Sequence, residues 1–281
     1  MALLSKSNIK VIPNKKLYVS EPNPMWFGNK GNPSSDPAWT NKNWLKSRFH
    51  FSFAEYRNPK NSNFGVLRVM NDDLVQPKRG FGAHPHANME IVTYIVNGQL
   101  THEDSMGTSQ SLGRGSIQFM TAGSGLQHSE HNRTDKPLRF IQTWIVPEKS
   151  GLEPNYGGYD ASGKLDKNEV RHLASSTKDA ASDTPVKLNQ DVNCFSGELE
   201  LGKRLSVDLP KGRQAYLLCL EGTLTVSGKT LARHDACEIT GSDGTPLEIE
   251  ATGVEQTENG EVGHFLMFDM KEVQGSGRKD L

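Results

Sequence analysis

Two short segments of the sequence carry side chains that can bind a metal ion. His84 and His86 flank a single proline, and His128 and Glu130 flank a single serine. Residues i and i+2 of a β-strand point to the same face, so each pair can direct both groups at one point. Three imidazoles and one carboxylate form a ligand set for a divalent transition metal and leave coordination positions for a substrate. The spacing therefore predicts a metal site that acts on a small molecule.

The elements that must position these side chains are short strands. From Trp44 to Val146, and again from about residue 186, apolar and β-branched segments alternate with glycine-containing turns. The segment EIVTYIVNGQL can be aligned with QAYLLCLEGTL so that Gly98 matches Gly222, and both read as strand, turn, strand. Regular short strands with few helical stretches favour an all-β fold of sandwich or barrel type. We therefore expect two β-barrels of similar design with few short helices.

Composition divides the chain into four regions. Residues 1–43 are rich in Asn, Pro, Gly and Ser and are expected to form a loop-rich N-terminal extension, for which a lid or partner-contacting flap is our hypothesis. Residues 44–150 are predicted to form the metal-binding barrel. The polar stretch 151–185 is predicted to be a connector, and 186–281 a second barrel.

Bulk composition limits the classes of partner. The formal net charge of −1 provides no global basic field for nucleic acid or an anionic membrane, although protein partners remain open. No apolar stretch approaches the length of a membrane span or a signal peptide. The three cysteines have no CxxC spacing, which favours reduced thiols. We expect a cytoplasmic protein, with the nucleus as an alternative if the source is eukaryotic.

The segments around the histidine pairs resemble the pirin family, a two-domain branch of the cupin superfamily. The resemblance covers about residues 44–280 and is strongest in FGAHPHANMEIVTYIVNGQLTHEDSMG and MTAGSGLQHSEHN. The segments MEIVTYIVNG and HSEHN are more similar to the bacterial quercetinase-like members than to the animal nuclear ones. The resemblance implies that both barrels are of cupin type, a bicupin.

The resemblance also implies which residues bind the metal. In the pirin family two histidines of the first motif and the histidine and glutamate of the second hold the ion, and His84, His86, His128 and Glu130 match these positions. We favour Glu130 over Glu90 as the carboxylate ligand and expect Glu90 to be a hydrogen-bond partner that orients a ligand histidine.

Other candidate ligands are interpreted as structural. His102 is expected to be solvated or structural, and His131 should point away from His128 and Glu130 because strand residues alternate. When Gly222 is aligned with Gly98, the positions of His84 and His86 fall on Asp208 and Pro210. Proline cannot bind a metal through its side chain, so the second barrel is predicted to lack a metal site and to support the first or bind a partner.

The resemblance implies quercetin 2,3-dioxygenase activity, in which a flavonol and O2 give a depside and carbon monoxide. Nitrogen and carboxylate ligands without thiolate favour Fe(II), with Ni, Co, Mn, Cu or Zn as alternatives. Glu130 is the candidate catalytic base for the flavonol 3-hydroxyl. The alternative is a non-enzymatic, metal-containing regulator that acts on transcription through protein partners. Six apolar residues are candidates for the pocket wall or, equally, for ordinary core: Phe49, Phe51, Phe81, Met89, Phe119 and Met120.

Overall fold

The computed structural model describes residues 7–30, 44–161 and 165–272. Within these ranges the protein is built from β-strands and three single-turn 3-10 helices. The helices are η1 (Asn14–Lys16), η2 (Pro24–Phe27) and η3 (Pro59–Asn61). The first twelve strands are β1 (Asn8–Ile12), β2 (Tyr18–Ser20), β3 (Leu45–Phe49), β4 (Leu67–Val75), β5 (Arg79–His86), β6 (Glu90–Asn97), β7 (Leu100–Asp104), β8 (Ser109–Leu112), β9 (Ile117–Thr121), β10 (Leu126–Asn132), β11 (Leu138–Ile145) and β12 (Asn155–Tyr159). The remaining strands are β13 (Arg171–Ser176), β14 (Val186–Leu188), β15 (Val192–Leu199), β16 (Arg204–Val207), β17 (Arg213–Glu221), β18 (Thr223–Val226), β19 (Lys229–Ala232), β20 (Ala236–Thr240), β21 (Leu247–Gly253), β22 (Glu255–Thr257) and β23 (Gly260–Lys271).

The chain divides into two compact units. The first contains the described residues of 18–63 and 67–163, and the second those of 1–17, 64–66 and 164–280. Each unit has one large and one four-stranded sheet, as expected for a β-barrel. The prediction of an all-β protein with two barrels and few short helices is confirmed.

The first unit pairs a seven-stranded sheet, in the order β12-β9-β6-β11-β4-β3-β2, with a four-stranded sheet in the order β5-β10-β7-β8. Both histidine pairs lie on the smaller sheet, on the neighbouring strands β5 and β10. The strand β5 is the edge of this sheet. Proline has no N–H to donate to a neighbouring strand, so Pro85 is tolerated at an edge, where only one side of the strand is paired.

The second unit has an eight-stranded sheet, in which β1-β20-β17-β23-β15-β13-β14 follow one another and β22 pairs with β23, and a four-stranded sheet in the order β16-β21-β18-β19. Its interior is apolar: Leu217, Cys219, Phe265 and Met267 belong to one fully buried cluster. Asp208, the residue aligned with His84, is exposed on the surface of this unit.

The segments expected to be an extension and a connector both contribute strands. β1 pairs with β20 and β2 with β3, although residues 1–6 and 31–43, including Trp39, lie outside the described residues. β12 completes the large sheet of the first unit and β13 belongs to the second. The unit boundary therefore falls inside the predicted connector rather than at its ends.

The aligned glycines occupy equivalent turns. Gly98 ends β6 with φ of 79° and Gly222 ends β17 with φ of 71°, a conformation that side chains rarely adopt. A Cβ atom would lie 2.6 Å from the Pro137 carbonyl oxygen at Gly98 and 2.5 Å from the Gly253 carbonyl oxygen at Gly222. Glycine is therefore required at both turns by backbone conformation and by close packing.

The state of the cysteines and the character of the helices follow from the structure. Cys194, Cys219 and Cys237 are buried free thiols, and burial raises the pKa of Cys194 and Cys237 above the usual range. Among the described residues, no helix has the length and apolar character needed to cross a bilayer.

Candidate metal centre

Three imidazoles converge on the inner face of the small sheet of the first unit. His84 and His128 are direct cross-strand partners in the β5–β10 ladder, and His86 pairs with the position of Leu126. Ring centroids are 4.5 to 4.9 Å apart among the three histidines. One ligand nitrogen from each ring lies within 4.8 Å of the other two. The structure therefore brings together the three histidines that the sequence singled out.

A register shift between β5 and β10 redirects the side chains of His84 and His86. His128 faces His84 but Glu130 faces Phe81, so β5 has one more residue than β10 between these points. The extra residue is the mark of a β-bulge, which bends a strand and redirects its side chains. Within the bulge, His84 Nδ1 lies 2.8 Å from the Gly82 carbonyl oxygen, so it carries the proton. The Nε2 atom of His84 is thereby left with its lone pair.

The ring nitrogens suit a cation. His84 Nε2 and His128 Nε2 are 3.0 Å apart, and His86 Nε2 is buried with no hydrogen-bond partner among the described residues. Ligand nitrogens about 2.1 Å from one metal and at right angles to each other are about 3.0 Å apart. The three imidazoles therefore fit one divalent transition metal.

Two of the three histidines, His86 and His128, are neutral at physiological pH. Burial lowers the pKa of His86 to about 3, with smaller contributions from His128 and His84. Burial also lowers the pKa of His128 to about 3, followed by the effects of His84 and His102. A metal ligand must be deprotonated, so both imidazoles are in the binding form without a pH change.

Glu130 lies on the same face as His128 but outside the three-histidine cluster. Its carboxylate is 2% exposed and accepts three hydrogen bonds from the opposite sheet. Oε1 accepts from Gln118 Nε2 at 3.2 Å and from Thr93 Oγ1 at 3.5 Å, and Oε2 accepts from Gln142 Nε2 at 2.7 Å. An ionised carboxylate has about four acceptor positions, so one is left for a further contact.

The donors to Glu130 belong to one polar row across the large sheet. Asn71, Gln142, Thr93 and Gln118 are successive cross-strand partners on β4, β11, β6 and β9. Partners in a ladder point to the same side, so all four face the barrel interior. This row could not be predicted, because its members come from four strands whose pairing order cannot be read from the sequence.

Apolar side chains lie on both sides of the polar row. On the side of the histidines, Ile91, Met120 and Leu126 form a buried cluster against which Met89, Trp144 and Tyr156 pack; we call these six residues the mouth cluster. A cavity of about 590 Å³ opens beside it and is lined by Pro85, His86, Ala87, Ser105, Gly125, Leu126 and Gln127. On the other side, Trp44, Ile95 and Phe140 belong to a second apolar cluster.

A second carboxyl group lies next to this deeper cluster. Asp73 is the cross-strand partner of Ser47 and Phe140 and is 4% exposed. Burial raises its pKa to about 8 despite a hydrogen bond with Ser47, and the nearby charges of Asp72 and Glu130 act in the same direction as burial. Asp73 is therefore protonated at neutral pH, whereas sequence alone would leave it ionised.

His102 is inside the barrel rather than solvated. It faces Glu130 across the β7–β10 ladder and is fully buried. Its Nε2 atom lies 3.0 Å from Asp104 Oδ2, and its ring stacks on Tyr156 at a centroid distance of 4.3 Å. His131 lies on the opposite face of β10, as the alternation predicts.

Glu90 does not orient a ligand histidine. To reach His84 or His86 it would have to extend from the same face, but the turn at 87–89, with Asn88 at φ 54°, separates β5 from β6. Glu90 lies three residues before Thr93 and so points to the other side of the sheet. There it accepts a hydrogen bond from Thr121.

Two of the six candidates for the pocket wall or core belong to the mouth cluster. Met89 and Met120 belong to the mouth cluster, but Phe119 alternates with Gln118 and Met120 and lies on the outer face under Gly157. Phe81 packs instead on Trp44, with ring centroids 5.1 Å apart. The other two are Phe49, whose ring packs against Phe53, and Phe51, which is buried.

Comparison with known protein families gives two matches that together span both barrels. Residues 34–145 match the Pirin family model, and residues 173–270 match the model described as the quercetinase C-terminal cupin domain. The expected bicupin architecture is thereby confirmed.

Curated relatives and solved structures agree with the family matches. The chain is 32% identical over 241 residues to quercetin 2,3-dioxygenase of Escherichia coli, covering 85% of this chain and 97% of the relative. It is 38% identical over 201 residues to a pirin-like protein of Caulobacter vibrioides, covering 70% and 84%. The bacterial pirin YhhW of Escherichia coli, solved in complex with nickel(II), superposes with a TM-score of 0.75 at 26% identity, covering 95% of this chain and all of that one. With its histidine cluster at the mouth of the first barrel, this chain is a member of the pirin family.

Proposed function

We propose that this protein is a metal-dependent dioxygenase that cleaves quercetin or a related flavonol with O2. The observation that carries the proposal is the cluster of His84, His86 and His128 beside an open cavity, with the buried carboxylate of Glu130 on the same face. The Escherichia coli relative named quercetin 2,3-dioxygenase, which this chain matches over most of its length, supports the reaction class.

The metal would be held by the three histidines, with Glu130 as the fourth ligand. We propose Fe(II) or Ni(II): nitrogen and carboxylate ligands suit both ions, and the related pirin YhhW was solved with nickel(II). When bound, such an ion supplies Lewis acidity that lowers the pKa of a coordinated hydroxyl group.

Glu130 would act as the base for the flavonol 3-hydroxyl. Its three donors, Gln118, Gln142 and Thr93, keep the carboxylate in place while one acceptor position stays open. A base must lie within hydrogen-bond reach of the proton that it removes, and Glu130 extends from the same strand face as His128. Glu130 would loosen from the metal and take the proton of the substrate hydroxyl at this open position.

The mouth cluster would hold the flat rings of the substrate and exclude water. Trp144 packs its edge against His86 at a ring-centroid distance of 4.8 Å, and Leu126 lines both the cluster and the cavity. Aromatic and thioether side chains favour the faces of a planar ligand. In the overall reaction both atoms of O2 enter the depside and one substrate carbon leaves as carbon monoxide, which balances the atoms.

The test is aerobic incubation of Fe(II)- or Ni(II)-loaded protein with quercetin, with absorbance followed and carbon monoxide captured by reduced haemoglobin. We expect one carbon monoxide per quercetin consumed, and no release from metal-depleted protein or from the Glu130→Gln variant. Tight metal binding without carbon monoxide release from any flavonol would contradict the proposal and favour the metal-containing regulator.

A further inference from the structure

Each oxygen of Glu130 accepts a hydrogen bond from a glutamine whose own amide oxygen accepts one from an aromatic side chain. Gln142 donates its Nε2 proton to Glu130 Oε2 at 2.7 Å, and Trp144 Nε1 donates to Gln142 Oε1 at 3.1 Å. Gln118 donates its Nε2 proton to Glu130 Oε1 at 3.2 Å, and the Tyr156 hydroxyl donates to Gln118 Oε1 at 3.2 Å. Two hydrogen-bond relays of the same type, Trp144–Gln142 and Tyr156–Gln118, therefore converge on the carboxylate of Glu130.

Donor and acceptor chemistry determines which end of each glutamine amide faces Glu130 in the two relays. An indole nitrogen can only donate, so Trp144 selects the oxygen end of the Gln142 amide and leaves its nitrogen end for Glu130. The Tyr156 hydroxyl shares its proton between Gln118 Oε1 and Gln110 Oε1, the latter at 2.9 Å. A rotation of either amide by half a turn would place its oxygen against the carboxylate oxygen, which is repulsive. Trp144 and the carboxylate together therefore fix the Gln142 amide. For Gln118 the carboxylate selects the nitrogen end, and the Tyr156 hydroxyl holds the oxygen end by donating to it.

Both aromatic residues also belong to the mouth cluster. Trp144 and Tyr156 lie one layer nearer the cavity than the glutamines, as the ladder partners of Ile91 and Met120. Trp144 packs on His86, and Tyr156 stacks on His102. Each aromatic ring thus faces the mouth while its polar atom faces the glutamine row.

We propose that Tyr156 and Trp144 are positioning residues for Glu130, acting through Gln118 and Gln142 respectively. This inference rests on the proposed function of the site and names residues that act one contact away from it. The two relays fix the carboxylate relative to the histidine cluster, so that it approaches the metal and the substrate hydroxyl from one direction. An aromatic substrate bound at the mouth would contact the rings of Trp144 and Tyr156, the two residues that position the proposed base Glu130.

A double-mutant cycle on Tyr156 and Gln118 tests whether one residue acts through the other. The four proteins are wild type, Tyr156→Phe, Gln118→Met and the double variant, each loaded with Co(II). The visible absorption spectrum of the bound Co(II) reports ligand geometry without any turnover, and quercetin kinetics give kcat and KM separately. Tyr159→Phe is the matched control, because Tyr159 is on the same strand but on its opposite face.

We expect Tyr156→Phe to change the Co(II) spectrum and to lower kcat about five- to tenfold, the effect of one lost hydrogen bond, with KM within about twofold. Gln118→Met should cause at least this change, and adding Tyr156→Phe to it should cause no more. Tyr159→Phe should leave the spectrum and kcat as in wild type. A residue that only stabilises the fold would lower the melting temperature and leave the spectrum unchanged.

A wild-type spectrum for Tyr156→Phe, or independent effects that add in the double variant, would overturn the inference. If Tyr156→Phe does not fold, the cycle of Trp144→Phe with Gln142→Met decides the question in the same way. Should wild-type protein show no quercetin turnover, the proposed function fails, while the Co(II) spectra still decide whether the relays orient Glu130.

Discussion

The Nε2 atoms of His84 and His128 lie 3.0 Å apart, where β5 and β10 place the two residues directly opposite each other. Neighbouring strands bring side chains of separate segments into contact without any long loop, and the bulge between Phe81 and His84 redirects the β5 side chains so that His84 and His86 meet His128. The histidine cluster is therefore a product of one ladder of the small sheet.

Removing one imidazole should abolish the metal site and leave the fold intact. We expect His128→Ala to weaken Ni(II) or Co(II) binding at least a hundredfold, because the ion loses one of three converging nitrogens. Calorimetric titration measures the affinity, and circular dichroism checks the fold. His131→Ala, on the opposite face of the same strand, should bind the metal as wild type does; full affinity in His128→Ala would show that the ion binds elsewhere.

Asp73→Asn should remove a pH dependence of stability. The folded-state pKa of Asp73 is raised to about 8 by burial, so its contribution to stability is full below the unfolded pKa of about 4 and is lost as pH rises towards 8. Between pH 5 and pH 8 the variant should gain on the order of 3 kcal/mol relative to wild type. Urea unfolding at both pH values measures this.

The control for Asp73 is Asp135→Asn, because the Asp135 side chain is 90% exposed beside Lys78. This variant should leave the pH dependence of unfolding unchanged. Equal pH slopes for wild type and Asp73→Asn, at matched metal content, would show that Asp73 is ionised in the folded protein.

Breaking the buried ion pair of the first unit should destabilise it strongly. Arg139 donates from Nε to Asp72 Oδ1 and from one terminal nitrogen to Oδ2, both at 2.8 Å, and the two side chains are at most 3% exposed. Arg139→Met removes the bidentate partner of a buried carboxylate, which costs about 3–5 kcal/mol. Arg133→Met, which breaks the exposed pair with Glu103, should cost less than about 1 kcal/mol by the same urea assay.

Alanine at Gly98 should cost more than alanine at Gly107. Both glycines have positive φ, so each substitution carries a conformational cost of about 1–2 kcal/mol. At Gly98 the new Cβ also meets the Pro137 carbonyl oxygen, whereas nothing lies within 4 Å of it at Gly107. We expect a further 1–3 kcal/mol or so at Gly98 from this overlap, seen as a lower urea midpoint. Equal midpoints would mean that the β6–β7 turn relaxes freely.

Strand alternation made the histidine cluster predictable. A period of two is a local property, so the side-by-side placement of His84 and His86, and of His128 and Glu130, follows from the sequence once strands are assumed. The same logic failed at Glu90, because the turn around Asn88 interrupts the alternation and reverses the face. Parity holds within a strand and does not carry across a turn.

The support of Glu130 could not be predicted in the same way. Gln118 and Gln142 become neighbours of Thr93 only when β9, β6 and β11 pair, and this order is not encoded in the spacing of any motif. Tyr156 lies in a polar, glycine-containing stretch that indicated a connector, yet it forms part of β12. Long-range pairing thus determines the polar interior, while the ligands themselves are set locally.

Pro85, which lies between His84 and His86 on the edge strand β5, has a consequence for how copies of this chain meet. An edge strand exposes unpaired N–H and C=O groups, with which an extended segment of another chain can pair as the first step of aggregation. At the middle of this stretch the imide nitrogen has no hydrogen to offer an incoming carbonyl. Pro85 therefore protects the segment that carries two of the clustered histidines from intermolecular β-pairing.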